Sequence, residues 1–172
     1  MINKVQEELN KILKHYKWKS INEVDWFRIS WAEKLSEQFI EEFQNKVFWL
    51  HISACQTLSE KFIEKYQDKV VWIYMSQYQK LSEKFIEKFQ DKINWMWISI
   101  KQKLSEEFIE KYKDKVDWYE ISRYQKLSEE LVIKFKQHID IDYLLKENMI
   151  TQDFYNDLIR PVYLSRFQLL DI

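Results

Sequence analysis

A block of 23 residues recurs along this chain, and that period constrains the fold more than any other feature of the sequence. LSEQFIEEFQNKVFWLHISACQT starts at Leu35, LSEKFIEKYQDKVVWIYMSQYQK at Leu58, LSEKFIEKFQDKINWMWISIKQK at Leu81 and LSEEFIEKYKDKVDWYEISRYQK at Leu104. A fifth copy opens as LSEELVIKF at Leu127 and then drifts, a sixth keeps ITQDFYNDLI from Ile150, and VDWFRIS at residues 24–30 is a half copy upstream. The 172 residues therefore lay out as a short leader and seven repeats, with atypical ones at both ends. Worn terminal repeats suit a stacked array, because an end repeat has a neighbour on one side only.

Each repeat reads as two short helices. In the first, Leu81, Phe85, Ile86 and Phe89 fall on one helical face, Ser82 is an N-cap, and Glu83 sits in the first turn, where the helix dipole favours an acid. In the second, Asn94 or Asp117 caps the start, and Trp118, Ile121 and Gln125 share a face. Both carry the same entry device: Leu81 precedes cap Ser82 and reaches Ile86, and Ile93 precedes cap Asn94 and reaches Ile98, a hydrophobic staple each time. Phe48 and Val71 hold the second cap position in two repeats, which predicts weaker or different capping there. Helices of nine or ten residues are marginal alone, so their stability must come from stacking. Strands are a poor alternative, since strict alternation is missing and Lys and Glu are dense. The predicted fold is all-α: short helix-turn-helix repeats stacked into an elongated α-solenoid with atypical capping units at both ends. One repeat domain over 1–172 is expected, with an N-terminal cap and degenerate unit at 1–34, four regular repeats at 35–126, and degenerate repeats with a C-terminal cap at 127–172.

Composition removes whole classes of chemistry. Glycine is absent, Pro161 is the single proline, and alanine occurs only at Ala32 and Ala54, so phosphate-cradling loops, dinucleotide fingerprints, nucleophile elbows and EF-hand loops have no residues to build them. The net charge is −1, which supplies no broad basic footprint for nucleic acid. One cysteine, Cys55, forms no intramolecular disulfide, the charged stretch MINKVQEELNKILKHYK is no signal-peptide core, and no run of eighteen apolar residues occurs. The expectation is a soluble cytoplasmic protein without a membrane span. His51 and Cys55 are spaced i, i+4, but two further zinc ligands are lacking; His15 and His138 read as surface or capping residues, and Asp140 of the Asp140/Asp142 pair reads as a helix cap. No serine stands in an evident triad. Neither an enzyme, a metal nor a cofactor is expected.

Differences among the repeats locate a second signal. The columns Trp26, Trp49, Trp72, Trp95 and Trp118 and Phe39, Phe62, Phe85 and Phe108 hardly change, and they read as the stacked core. At 100° per residue, the positions of the second helix that do change fall opposite the Trp. They carry Phe27, Arg28, Trp31 and Ala32; Leu50, His51, Ala54 and Cys55; Ile73, Tyr74, Gln77 and Tyr78; Met96, Trp97, Ile100 and Lys101; Tyr119, Glu120, Arg123 and Tyr124. All but Leu50, the alanines, Cys55, Gln77, Ile100 and Glu120 are candidate binding residues. Many are large and apolar, and rigid apolar side chains at adjacent turns are what a protein-recognition surface needs. The outward positions of the first helix, such as Glu60, Lys61, Glu64 and Lys65, make a mixed-sign solvated face. An opposing reading buries the variable aromatics under another layer of helices.

The repeat LSEKFIEKFQDK followed by VxWxxIS and YQK resembles a family of short helical repeats in proteins of phages, prophages and giant viruses, over residues 24 to about 159. The resemblance implies an all-helical array of viral or prophage origin, and it breaks where Ile141 replaces the Trp and after Pro161. Two functions are then expected in order of preference. The first is a non-enzymatic protein-binding solenoid, by analogy a phage- or prophage-encoded inhibitor docking on a host protein such as a CRISPR effector or another defence complex. The second is a nucleic-acid-binding module in which Tyr74, Tyr78, Trp97, Tyr119 and Tyr124 stack bases while Arg28, Lys101 and Arg123 meet phosphates.

Overall fold

The computed structural model describes residues 4–159, so the end of the seventh repeat, Pro161 included, lies outside the described residues. Among those described, thirteen α-helices, one short 3-10 turn and no strand are found. The chain divides into two compact units, Met1–Asn94 and Trp95–Ile172. The first holds α1 (Lys4–Tyr16), the 3-10 turn Ile21–Glu23, α2 (Trp26–Ala32), α3 (Glu37–Glu42), α4 (Trp49–Cys55), α5 (Glu60–Lys65), α6 (Trp72–Tyr78) and α7 (Glu83–Lys88). The second holds α8 (Trp95–Lys101), α9 (Glu106–Lys111), α10 (Trp118–Tyr124), α11 (Glu129–Lys134), α12 (Ile141–Lys146) and α13 (Gln152–Ile159). Within the first, α2, α4 and α6 pack side by side; within the second, α8, α10 and α12 do. Each unit is a stack of helix pairs, the all-α repeat solenoid that the period predicts.

The regular helices have six residues in the first position and seven in the second, shorter than the expected nine or ten. The cause is the turn between them: α3 ends at Phe43, whose carbonyl accepts from the N–H groups of Lys46 and Val47 and folds the chain straight into α4. Every regular first helix starts at a serine whose hydroxyl accepts the N–H three residues on, as Ser59 does from Phe62. The buried core follows the predicted columns. Phe39, Phe62, Phe85 and Phe108 are buried, and so are Ile29, Ile52, Met75, Ile98 and Ile121 from the second helices.

The tryptophans do a different job from the buried phenylalanines. Each is half-buried at the seam between successive repeats, with Trp49 against Phe62 and Tyr66, Trp72 against Phe85 and Phe89, and Trp95 against Phe108 and Tyr112. The indole N–H of Trp72 donates to the Gln67 carbonyl in the turn of its own repeat at 3.0 Å, and Trp49 and Trp118 donate in the same way to Gln44 and Lys113. A lysine ammonium stands over the outer face, Lys69 at 5.7 Å from Trp49 and Lys92 at 5.7 Å from Trp72.

Polar residues that repeat unchanged form ladders between repeats. The buried hydroxyl of Ser30 donates to the Trp26 carbonyl and accepts from the Phe48 N–H. Ser53 likewise accepts from Val71, Ser99 from Asp117 and Ser122 from Asp140. This supplies the start of the second helix where Phe48 and Val71 have no capping side chain. A carboxylate ladder runs along the first helices, with Glu37 accepting from the Ser59 N–H, Glu60 from Ser82 and Glu106 from Ser128. In the first unit Glu8 of α1 plays the same part toward Ser36, so the leader helix substitutes for a missing first helix.

The third ladder is made of glutamine. The Gln56 carboxamide donates to the carbonyls of Ser30 and Glu33 and accepts from the Leu35 N–H, closing three backbone groups of the preceding linker. Gln79 does this for Ser53, Gln56 and Leu58, and Gln125 for Ser99, Gln102 and Leu104. Removing the carboxamide strands those groups in a buried linker, where each unpaired polar group costs about 1 to 3 kcal/mol. The nearly isosteric Gln56→Leu is therefore expected to lower the unfolding free energy by roughly 2 to 4 kcal/mol in urea melts. An unchanged midpoint would show that the linker carbonyls find water at no cost.

Candidate functional site

The second helices present their variable positions to solvent in both units. In the first, Phe27, Arg28 and Trp31 of α2, Leu50 of α4, and Ile73 and Tyr78 of α6 are exposed, with His51 and Tyr74 half-buried between them. In the second, Met96 and Lys101 of α8 and Tyr119 and Tyr124 of α10 are exposed, with Trp97 and Arg123 half-buried. Trp31 is 51% accessible, Tyr78 55%, Tyr119 59% and Tyr124 58%, whereas Ile29 and Ile121 on the opposite faces of the same helices are at 0%. Within each unit these side chains line open surface, not the seam with another helical layer, because the ladders already occupy the inner face.

Local contacts fix the rings of this face. Phe27 meets His51 edge-on at 4.6 Å and Phe48 at 5.3 Å, and Tyr74 packs against Tyr78 at 6.0 Å. The Nδ1 of His51 is buried here without a hydrogen-bond partner. A ring wedged among phenyl groups is a packing element, and Cys55, one turn on, is exposed. Among the described residues no three His, Cys, Asp or Glu side chains gather in a metal-holding group, and no helix is long and apolar enough to cross a membrane.

The cations on this face are engaged to different degrees. Arg123 lies 3.3 Å from the Tyr119 ring centroid and 4.4 Å from that of Tyr143, donates to the Tyr119 carbonyl, and pairs with Asp140 at 2.9 Å. Arg28 covers the Tyr16 ring at 4.7 Å, while Lys101 stands 6.0 Å from Trp97. Asp140 is the expected helix cap, accepting from the Tyr143 N–H, and it is also the partner that fixes Arg123. The chain matches no protein-family model, no curated protein and no solved structure.

That capping bond from Tyr143, together with the Arg123 guanidinium, holds the Asp140 carboxyl below its ordinary value of 3.8. A carboxyl whose value is lower folded than unfolded stabilises the fold in its charged form. The contribution is complete above pH ~5 and is lost as pH falls through the lowered value. Asp140→Asn is expected to remove it, leaving a melt that is weaker at neutral pH and flatter on the acid side. An acid limb as steep as in the unaltered protein would contradict this.

Sequence reasoning found the aromatic face but missed the ladders beneath it. Ser30, Ser53, Ser76, Ser99 and Ser122, and Gln56, Gln79, Gln102 and Gln125, are all buried, and their signal was available in the repeat alignment: polar side chains that never vary on the face that never varies. Their partners lie 18 to 26 residues away in the chain.

Proposed function

We propose that the protein is a non-enzymatic binder of another protein and that it docks through the aromatic face of its second helices. The observation that carries this reading is the exposure of large, rigid side chains at the positions where the repeats differ, above an inner face whose polar groups are spent on holding the repeats together. Tyr and Trp bury much area for little lost side-chain entropy, and exposed clusters of them mark docking surfaces. The mixed Glu and Lys of the first helices are committed to inter-repeat pairs such as Lys65 with Glu41 and Lys88 with Glu64, which supports a solubilising role for that side.

The resemblance of the repeat to those of phage, prophage and giant-virus proteins favours a host protein as the partner, and an inhibitor of a defence complex such as a CRISPR effector is the economical form of that idea. A nucleic-acid partner is less favoured. Arg123 is neutralised by Asp140 and stacked between two tyrosines, so it is not free to meet a phosphate without losing that pair, and the net charge of −1 adds no general attraction.

Capture from a host-cell lysate with and without nuclease separates the two. A protein retained after nuclease treatment, and lost with Tyr78→Ala or Tyr124→Ala, is the expected result. Retention that needs nucleic acid and weakens steeply with salt would replace protein by nucleic acid as the target.

A further inference from the structure

The glutamine ladder stops one repeat before the helices do. Counting from Ile141 in the Trp position, the residue that should carry the next carboxamide is Asn148. The α12 helix closes early: Glu147 caps it, Asn148 takes a left-handed backbone at φ 55°, and the N–H groups of Asn148 and Met149 return to the carbonyls of Leu145 and Leu144. A regular second helix instead ends at a glutamine in extended backbone, Gln125 at φ −105° and ψ 150°, with its side chain turned into the preceding linker. Asn148 is exposed, so its side chain delivers no carboxamide to the linker between α10 and α11.

Three backbone groups are left over there. By the register of the ladder, they are the carbonyls of Ser122 and Gln125 and the N–H of Leu127, and among the described residues none of the three has a partner. A cavity of about 310 Å3 opens at this place, bounded on one side by residues 123–127, Arg123 and Lys126 included, and on the other by Val132, Leu144, Met149 and Ile150. Its far wall is aliphatic, and the three unpartnered backbone groups of the linker beside it are two acceptors and one donor. That is the complement of a primary carboxamide on an aliphatic stem, and the same set of groups holds such a side chain in the slots of Gln56, Gln79 and Gln125.

We propose that this open slot binds a glutamine side chain of a second polypeptide, presented in extended backbone. The α12 helix already occupies the place of a next second helix, so a whole repeat does not fit and a short segment does. A carboxylate offers no donor to the two carbonyls, an aliphatic side chain leaves all three groups unpaired, and glutamine alone among common side chains satisfies them at this reach. The slot borders the aromatic face and shares Arg123 and Tyr124 with its edge, but its test reads the Leu127 amide and not the capture of a partner, so failure of one leaves the other standing.

The test uses the full chain, isotope-labelled for NMR, and a blocked synthetic peptide with the sequence of residues 121–127, which carries one glutamine. The expected result is saturable movement of the Leu127 amide signal and slower exchange of that amide with solvent. Peptides with Glu or Leu in place of the glutamine should bind at least tenfold more weakly. Met149→Trp, at an exposed position on the rim, should abolish the effect without altering the rest of the spectrum. Equal binding of the three peptides would overturn the proposal. So would a Leu127 amide that is already protected in the free full chain: if protection vanishes in a chain ending at Ile159, the occupant is the protein's own C-terminal segment, and if it persists, the slot is closed.

Discussion

Trp72→Ala is expected to lower the unfolding free energy by about 3 kcal/mol, a large part of what holds a domain of this size together. The side chain is half-buried, but it spans the seam between two repeats, touching Phe85 at 6.3 Å and Phe89 at 4.9 Å between ring centroids, and its indole N–H closes the Gln67 carbonyl. Alanine leaves a gap that neighbouring rings fill only by opening the turn, and Lys92 loses the ring beneath its ammonium. Glu64→Ala, which breaks an exposed pair with Lys88, should cost less than about 0.5 kcal/mol. Urea melts of the two variants measure both numbers. Should the tryptophan change be as mild as the glutamate change, stacking between repeats does not rest on the indole column.

The second large effect is on binding. Tyr78→Ala in the first unit and Tyr124→Ala in the second should each weaken association with the proposed protein partner by about 2 kcal/mol or more where the position is a hot spot, which is thirtyfold or greater in Kd. Neither should move the unfolding midpoint appreciably, because both side chains are more than half exposed. The contrast with Lys61→Ala and Lys84→Ala is the sharper test, since those exposed side chains sit on the first helices. Calorimetry with the captured partner reads all four. Binding that survives the tyrosine changes and fails with the lysine changes would move the functional surface to the other side of the repeats.

The repeat period carried most of this fold in plain view. It set the alternation of two short helices per repeat, the serine that starts each regular first helix and the buried Phe and Ile columns, because each of these depends on residues within one or two turns. The aromatic face was legible too, since variation among copies within one chain marks the positions that the scaffold does not need. Helix length was not. The turn after Phe43 depends on a carbonyl taking two N–H groups at once, which leaves no mark in apolar spacing.

What the sequence determined by itself is the local half of the structure: which residues form helices, which side of each helix is inward, and which positions are free to differ. Tertiary structure alone decided where the polar groups go. Ser53, Glu60 and Gln79 each bond to a neighbouring repeat, so their partners exist only once the helices are stacked at the right spacing. The same holds for Arg123, a free cation by sequence and a locked one beside Asp140 and Tyr143, and for Asn148, whose left-handed turn ends the glutamine ladder and opens the slot at Leu127. Helical periodicity encodes burial through residues one turn apart, whereas a hydrogen bond across 18 to 26 residues is encoded only in how the repeats meet.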